Sequence, residues 1–378
     1  MNGLRRKICF ITGTRADYGI MSRLMKELNA DPAIELQIIA TNMHLSPAHG
    51  MTVTEIEKDG LTVSARISMN REGDTPGQIV RSMGEEMTGM ADVLERLSPD
   101  LIVILGDRYE MLVAASAALI FSIPVAHLYG GEITEGANDD AIRNAVTMLS
   151  SWHFTSTDEY RRRIIVMGKP AHTVFHVGAL GADNISHFIP LSIESLETSI
   201  GFPLSDRFLL VTFHPATMER GQAAIQTKNL LSALTHYTDT HKILFTMPNS
   251  DAEGDTVAQL IEQWVSQNSE NSVAVKSLGR ERYYTALRYA SAVIGNSSSG
   301  LTEAPSFGIP TVNIGNRQKG RAFGSTVIHC GTDTEDITSA INQALSPEFR
   351  EYCHQHPDNP YALPDTLSRL LTILPTCI

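Results

Sequence analysis

Short runs of β-branched and apolar residues alternate with longer helical patterns along the whole chain, and this alternation limits the possible folds most strongly. In the first half, strands are predicted at residues 7–12, 36–41, 101–106, 124–127, 152–156 and 174–177. Runs that are apolar throughout, such as LIVIL at 101–105, are typical of parallel strands covered by helices on both faces. Helical patterns lie between them, at 21–29, 77–97, 109–121, 139–150 and 158–167. The sequence therefore predicts a doubly wound α/β domain.

A second alternating set follows, with strands predicted at residues 208–212, 242–246, 273–277, 292–295 and 311–314 and helices between them. The length of 378 residues also suits two domains. We therefore expect an α/β protein of two Rossmann-like doubly wound domains facing a central cleft. The expected divisions are an N-terminal domain at 1–178, a linker at 179–206, a C-terminal nucleotide-binding domain at 207–346 and a helical tail at 347–378 that packs back on the first domain.

Charge and cysteine usage exclude several classes of protein. Lysine and arginine number 30 against 42 aspartate and glutamate, a net charge of −12, which argues against general binding of nucleic acid or anionic membranes. The four cysteines form no CxxC pair, and the N-terminus lacks the apolar stretch of a signal peptide. His44 and His49 do not have the spacing of a helical metal pair. We expect a cytoplasmic protein with no metal and no cofactor.

The stretch SAVIGNSSSGLTEAPSFGIPTVNIG, residues 291–315, predicts a nucleotide site where a strand meets a helix. Free backbone N–H groups at the helix start and the hydroxyls of Ser297 and Ser298 suit a diphosphate. Gly300 lacks a Cβ where a phosphate would approach closely. Glu303 shares a helix face with Ser299, from which its carboxylate would accept bonds from ribose hydroxyls. The simpler alternative is helix capping alone.

Cations and a histidine follow other predicted strands at the same edge. Arg317 lies in the loop GNRQKGR after the last strand of the second domain, where it would face the same phosphates. Arg15 follows the first strand of the chain, in GTRADYG. His214 directly follows a second-domain strand in TFHP, as either a structural or a catalytic group.

Clustered acids in the first domain suit proton transfer. Asp107 and Arg108 directly follow the buried strand LIVIL, either as a helix cap with its surface pair or as part of a site. The segment PVAHLYGGEITEGANDD then places Glu132 and Asp139 in a short polar loop after the next strand. Close carboxylates raise one another's pKa, which suits acid–base catalysis, although a solvated loop in which Asp139 caps a helix is the alternative. Arg143, one turn later, would meet these acids or a substrate.

These stretches together resemble the UDP-N-acetylglucosamine 2-epimerase family, specifically its hydrolysing branch in bacterial sialic-acid-type sugar synthesis. The similarity covers nearly the whole chain and includes the motifs TGTRADYG, HLSPAHG, GDRYE, HLYGGEITEGANDD, TFHP, SLGRERY, GNSSSGLTE and GNRQ. It implies a fold like that of type B glycosyltransferases and an enzyme that converts UDP-GlcNAc and water to UDP and N-acetylmannosamine through a 2-acetamidoglucal. It also implies a homodimer or homotetramer.

By motif position, the resemblance implies Asp107 and Asp139 as acid–base candidates and Arg15, Ser297, Ser298, Glu303 and Arg317 as ligands of UDP. Together with the residues selected above, this gives the full set of candidates. Catalytic candidates are Asp107, Glu132, Asp139 and His214, and candidates for binding UDP or the sugar are Arg15, Arg108, Arg143, Ser297, Ser298, Ser299, Gly300, Glu303 and Arg317. Two positions depart from the family pattern: Tyr129 stands where many relatives have Glu, and Asn144 where the family has His after Arg. The same reaction on UDP-2,4-diacetamido-2,4,6-trideoxyglucose, a non-hydrolysing epimerase, a glycosyltransferase and a sugar-nucleotide sensor are the alternatives.

Overall fold

A computed structural model describes residues 5–69, 75–135, 138–204, 207–248 and 253–378, so residues 205–206 of the expected linker lie outside it. The chain divides into two compact units. The first consists of Met1–Glu132, Asp139–Asn184 and Tyr361–Ile378, and the second of Ile133–Asn138 and Ile185–Pro360. The expected tail at 347–378 is thus shared between the two units.

The first unit contains a parallel sheet. Its strands are β1 (Arg6–Thr12), β2 (Ile34–Thr41), β3 (Ala65–Ile67), β4 (Leu101–Leu105), β5 (Val125–Leu128), β6 (Trp152–Thr155) and β7 (Val174–His176). They lie side by side in the order β3-β2-β1-β4-β5-β6-β7. The helices along this part of the chain are α1 (Arg15–Ala30), α2 (Val53–Lys58), α3 (Pro76–Leu97), α4 (Tyr109–Ile120), α5 (Asp139–Leu149), α6 (Asp158–Val166) and α7 (Leu180–Ser186).

The second unit repeats this architecture. Its strands are β8 (Phe208–Thr212), β9 (Lys242–Thr246), β10 (Ser272–Val275), β11 (Ala292–Gly295), β12 (Thr311–Ile314) and β13 (Val327–Cys330), in the order β10-β9-β8-β11-β12-β13. Its helices are α8 (Ile193–Ile200), α9 (Ala223–Thr235), α10 (Gly254–Gln267), α11 (Gly279–Tyr289), α12 (Ser299–Thr302), α13 (Thr334–Leu345) and α14 (Pro347–Gln355). The last helix, α15 (Thr366–Ile373), returns to the first unit.

Apolar side chains on both faces explain why the strands read as continuous apolar runs. In β1, Ile8 and Phe10 join a core cluster with side chains of α1 and α15, whereas Cys9 and Ile11 join another with side chains of α3 and α4. Successive residues of a strand point to opposite faces, so a strand buried on both sides has no polar alternation. The predicted α/β class with two parallel, doubly wound sheets is confirmed.

Each sheet has one point at which its winding reverses. In the first sheet this point lies between β1 and β4, and in the second between β8 and β11. Ligands of open parallel sheets bind outside the carboxyl ends of the strands at such a point. The segments that follow these four strands are those that carry Arg15, Asp107, His214 and Ser297.

Several element boundaries differ from the sequence prediction for local reasons. Helix α1 begins at Arg15 rather than near residue 21, because Thr14 and Asp17 form a capping box. Strands β3 and β13 were not predicted; each is short and lies at a sheet edge. The helix predicted between the strands at 292–295 and 311–314 is split into α12 and a 3-10 turn, Ala304–Phe307. The expected linker contains α7 and α8.

None of the described helices combines the length and the apolar character that a bilayer-spanning helix requires.

Candidate functional site

Asp17 organises the turn between β1 and α1. Its carboxylate accepts hydrogen bonds from the Thr12 hydroxyl at 2.9 Å and from the backbone N–H groups of Gly13 and Thr14, each at 3.0 Å. Because one buried carboxylate satisfies several donors, the turn has a single well-defined conformation. Arg15, the first residue of α1, is half-buried at the carboxyl end of β1.

Arg143 joins acids from three separate segments of the first unit. This fully buried guanidinium forms an ion pair with Asp107, which follows β4, and lies 3.6 Å from Asp140 in α5. It also donates to the backbone carbonyl of Glu132 at 2.8 Å. A buried cation requires such anionic partners, because removal of one leaves an uncompensated charge. Asp139, the first residue of α5, directly precedes Asp140.

A neutral histidine ties the end of β5 to the end of β4. The Nε2–H of His127 donates to the Gly106 carbonyl at 2.7 Å, and burial lowers the pKa of His127 to about 4. The loop that follows is close to this ring: a Cβ at Gly130 would lie 2.9 Å from His127 Nδ1. Glycine is therefore required at residue 130 for the chain to pass His127 and reach Glu132.

Glu132 is held at the carboxyl end of β6. It is 2% exposed, and its Oε1 accepts a hydrogen bond from the Ser156 hydroxyl at 2.7 Å. Its backbone carbonyl accepts from both Arg143 and Arg163. Both the carboxylate and the backbone of this residue are therefore fixed in one orientation, as a group that transfers protons requires.

Glu110, the last residue of the GDRYE motif, and Glu86 of α3 form a second pair of acids in the first unit. Arg108 donates from Nε to Glu110 Oε1 at 2.6 Å, and Glu110 is fully buried. Gly13 leaves room for this carboxylate, since a Cβ there would lie 2.5 Å from Glu110 Oε1. Glu86 of α3 is also fully buried, and this burial, followed by the charge of Glu110, raises the pKa of Glu86 well above its usual value. Burial therefore favours the neutral form of the Glu86 carboxyl group.

In the second unit, Asn296 connects the ends of β8 and β11. Its Oδ1 accepts from the His214 backbone N–H at 2.7 Å, and its side-chain amide donates to the His214 carbonyl at 2.7 Å. Its own carbonyl accepts from Arg317 at 3.2 Å and from Gln318 at 2.9 Å. His214 and Arg317 are both buried. One asparagine thus fixes the segments that carry both residues.

Hydroxyl groups surround Glu303 in the second unit. Ser299 Oγ donates to Glu303 Oε2, as the shared helix face predicts, and the Tyr284 hydroxyl donates to Oε1 at 3.0 Å. Tyr283 donates to Ser299 Oγ at 2.8 Å. Burial raises the pKa of Glu303, and the hydrogen bonds from Ser299 and Tyr284 oppose this effect. Ser297 and Ser298 are half-buried in the turn before Ser299.

Gly295 and Gly300, on either side of the serine turn, lie where a side chain would collide with a neighbouring strand. A Cβ at Gly295 would lie 1.9 Å from the Thr212 carbonyl oxygen, so β8 and β11 approach too closely for any side chain there. A Cβ at Gly300 would lie 2.9 Å from Thr311 Cγ2. Gly300 therefore allows α12 to pack against β12. The expected close approach of a phosphate to Gly300 is a separate reason and stays a prediction.

The candidate residues form one cluster in each unit. In the first unit, Arg143 connects Asp107 with the backbone of Glu132, and Asp139 directly precedes Asp140, another partner of Arg143. In the second unit, the backbone and side chains near Asn296 connect His214 and Arg317, and the serine turn continues to Glu303. Lys319, in the same loop as Arg317, forms an exposed ion pair with Glu135 at 2.9 Å.

A family profile described as UDP-N-acetylglucosamine 2-epimerase matches residues 26–375. The chain belongs to this family. It is 36% identical, over 92% of this chain and 89% of the relative, to the GDP/UDP-N,N'-diacetylbacillosamine 2-epimerase (hydrolyzing) of Campylobacter jejuni. It is 33% identical, over 93% of this chain and 92% of the relative, to the UDP-N,N'-diacetylbacillosamine 2-epimerase (hydrolyzing) of Legionella pneumophila. The resemblance to the hydrolysing branch is confirmed.

A solved member of the 2-epimerase family has the same fold. The Neisseria meningitidis UDP-GlcNAc 2-epimerase, crystallised with UDP-GlcNAc, superimposes with a TM-score of 0.80 over 98% of this chain and 100% of that chain. The two sequences are 18% identical, so this similarity supports the fold alone. It agrees with the two parallel sheets expected for this epimerase from its sequence.

Sequence reasoning did not select several residues that hold these clusters. Glu110 lies within the GDRYE motif and Asn296 within GNSSSG, so motif membership was an available signal for both. Glu86 and Ser156 lie outside the motifs, and only the folded structure brings them to Glu110 and Glu132. Within the described ranges, no group of three or more His, Cys, Asp or Glu side chains is arranged to hold a metal ion.

Proposed function

We propose that this member of the 2-epimerase family hydrolyses a UDP-2-acetamido sugar and inverts its configuration at C2. Its relatives named as hydrolyzing 2-epimerases, at 36% and 33% identity over most of the chain, support this reaction. The structural observation that carries the proposal is the buried Arg143 cluster, which brings Asp107 together with the chain segment of Glu132 and with α5. These acids are the candidates for donating and accepting the protons that move during the reaction at the sugar.

The proposed reaction has two steps, an elimination of UDP and a hydration of the resulting double bond. A carboxylate removes the proton from C2, the C1–O bond breaks, and UDP leaves with that electron pair, which gives a 2-acetamidoglucal. Water then adds across the double bond, with oxygen at C1 and a proton at C2 on the opposite face. We assign the two proton transfers to Asp107 and to either Glu132 or Asp139. The C2–H bond has no carbonyl beside it in the ring, so loss of UDP must run ahead of deprotonation.

That requirement explains the proposed role of the second unit. Departing UDP carries growing negative charge, and fixed donors stabilise it most when they need no reorganisation. We propose that Arg317 and the Ser297–Ser299 turn bind the diphosphate and that Glu303 binds the ribose hydroxyls. His214 is proposed to stand by the leaving group, and Arg15 and Arg108 to contribute positive charge from the first unit. The rigid frame around Asn296 supports these roles.

Two sugars are candidates for the substrate. UDP-GlcNAc is the family's namesake substrate, and UDP-2,4-diacetamido-2,4,6-trideoxyglucose, which is UDP-N,N'-diacetylbacillosamine, is named for both of the relatives described above. The names of these relatives are the specific observation in favour of the second sugar. Both sugars carry the 2-acetamido group and the C2 hydrogen that the reaction requires.

The test is to incubate the enzyme with each UDP-sugar in D2O and follow the products by proton NMR. A hydrolysing 2-epimerase releases UDP together with the free 2-epimeric sugar, with deuterium at C2; this is N-acetylmannosamine when UDP-GlcNAc is the substrate. The sugar with the higher kcat/KM is the substrate. A product that keeps its UDP would identify a non-hydrolysing epimerase, and the absence of UDP release with both sugars would refute the proposal.

We further propose that the enzyme acts in the cytoplasm as a homodimer or homotetramer. Its four cysteines are free thiols and three of them are buried, which is consistent with a reducing compartment. Light scattering on the eluate of a size-exclusion column measures the assembly directly, and a monomer at micromolar concentration would contradict it.

A further inference from the structure

A cavity of about 500 Å³ lies in the second unit, at the sheet edge opposite the serine turn. Its wall includes Ser291 and Pro310, which directly precede β11 and β12. The serine turn follows the carboxyl end of β11 instead. At about 3.3 Å per residue, the strand from Ser291 to Asn296 spans roughly 16 Å. The cavity is therefore separate from the proposed nucleotide site.

The wall of this cavity contains two arginines and one glutamate, so its formal charge is positive. Arg288 lies in the last turn of α11, and Arg350 lies on α14. The α14 residues in the wall are Pro347, Arg350, Glu351 and His354, a spacing that places them on one helix face. Both arginines are exposed, and neither pairs with a carboxylate among the residues that the structure describes. Two such guanidinium groups favour an anionic group such as a phosphate.

The other groups in the wall suit a polyhydroxylated ring. Ser291 is 2% exposed, and its hydroxyl has no hydrogen-bond partner in the described parts of the chain. An unsatisfied buried hydroxyl costs free energy that a ligand's hydrogen bond would recover. The Glu351 carboxylate accepts from Gln355 at Oε1, and its Oε2 would accept from a ligand hydroxyl group. Tyr289 and Phe307 supply aromatic surface for the apolar face of a sugar ring.

We propose that this cavity is a second binding site, one that takes a phosphorylated monosaccharide. The phosphate lies between Arg288 and Arg350, and the ring hydroxyls reach Ser291 and Glu351. Neither guanidinium alone would select a sugar, and neither aromatic ring alone would select an anion. Their combination in one cavity of this size specifies the class of ligand.

The site is connected to the nucleotide turn through a short stretch of chain. Helix α12 begins at Ser299, and the 3-10 turn that follows it ends at Phe307, in the wall of the cavity. Glu303 lies between the two. Because the cavity lies at the opposite end of the strands from the serine turn, a ligand there does not displace the nucleotide, and we expect the two ligands to bind together.

The test is isothermal titration calorimetry on the full chain, with saturating UDP present. The probe is glucose 6-phosphate, and glucose and inorganic phosphate are the separate halves of the ligand. We expect glucose 6-phosphate to bind at least about tenfold more tightly than either half. Arg288→Gln and Arg350→Gln should each weaken its binding by about tenfold, because each removes a charge-assisted hydrogen bond. Ser291→Ala should weaken it less.

Lys228→Gln is the matched control, because it removes one exposed positive charge from α9, which contributes no residue to the cavity wall. It should leave binding unchanged. Three results would overturn the proposal: no binding of glucose 6-phosphate, binding as tight with inorganic phosphate alone, or equal loss in Lys228→Gln and the two arginine variants. Competition with UDP would also overturn it, since the probe would then occupy the nucleotide site. These readouts do not depend on turnover, so they stand whether or not the proposed reaction is correct.

Discussion

The two units place their candidate residues at equivalent points of equivalent sheets, yet they hold them by different interactions. In the first unit, ion pairs do most of the positioning: Arg143 holds Asp107, and Arg108 holds Glu110. In the second unit, neutral groups do it: Asn296 holds the segments of His214 and Arg317, and hydroxyl groups hold Glu303.

This difference matches the two tasks proposed above, proton transfer in the first unit and nucleotide binding in the second. Groups that gain and lose protons must be held in one orientation, and ion pairs with Arg143 and Arg108 hold acids of the first unit in this way. A ligand of constant charge needs fixed donors and acceptors that do not themselves change. The comparison predicts that changes in the first unit lower turnover, whereas changes in the second lower affinity for the nucleotide.

The largest effect is expected for Asp107→Asn in the first unit. The amide cannot take up a proton, and it removes one of the two negative partners described above for the buried Arg143. Turnover should fall by about 10²- to 10⁴-fold, the usual contribution of a general acid or base. Affinity for UDP, measured by calorimetry, should change little. Asp158→Asn, an exposed acid of α6 paired with Arg162, is the control and should leave turnover intact. Retained turnover in Asp107→Asn would remove Asp107 from the chemistry.

In the second unit, Glu303→Gln should mainly reduce affinity. A hydrogen bond to a charged group contributes about 1.5–3 kcal/mol, so the Kd for UDP and the KM should rise by about 10- to 100-fold. The kcat should stay close to that of the wild type, because ribose contacts are the same before and during the reaction. Glu262→Gln, on the exposed face of α10, is the control. A fall in kcat alone would contradict the division between the units.

The candidate residues could be predicted from the sequence, whereas the residues that hold them in place could not. Groups that follow strand ends were predictable, because parallel strands bring their carboxyl ends to one edge, and Asp107, Glu132 and Ser297 lie there. The groups that hold them were not, because such contacts join residues far apart in sequence. Ser156 reaches Glu132 across 24 residues, and Asn296 reaches His214 across 82. The edge strands β3 and β13 were not predicted, because three or four residues carry little periodicity, whereas the equally short edge strands β7 and β10 were predicted.

Tyr284→Phe tests whether the Tyr284 hydroxyl holds the Glu303 carboxylate in the second unit, as the Arg143 guanidinium holds Asp107 in the first. Loss of the hydrogen bond at Oε1 should raise the pKa of Glu303 further, since burial then acts with less opposition. Nucleotide binding needs the ionised carboxylate, so the pH at which affinity for UDP is half lost should move upward. At neutral pH the Kd should rise by about two- to tenfold.

The control for that variant lies on the same helix. Tyr289→Phe removes a hydroxyl from the exposed end of α11 and should leave the pH profile of UDP binding unchanged. Equal profiles for Tyr284→Phe and the wild type, at unchanged Tm, would show that Tyr284 only packs against its neighbours.

The smallest effect concerns the stability of the first unit. Glu86 keeps its proton in the folded protein well above the pH at which an unfolded glutamate ionises, because burial and the nearby Glu110 raise its pKa. The unfolded state therefore binds fewer protons between these two values, and the contribution of Glu86 to stability falls as pH rises through that window. Glu86→Gln mimics the neutral acid and removes this dependence.

We therefore expect Glu86→Gln to match the wild type in thermal stability near pH 5 and to exceed it at pH 8, where the gain in Tm should be about 2–4 °C for each kcal/mol. Glu85→Gln, at the adjacent exposed position of α3, should follow the wild type at both pH values. If Glu86→Gln lowers Tm equally at both pH values, the carboxyl group is not held neutral. All the buried acids of the first unit would then be ionised and stabilised by positive charges. The difference from the second unit, where hydroxyl groups hold Glu303, would be larger than proposed.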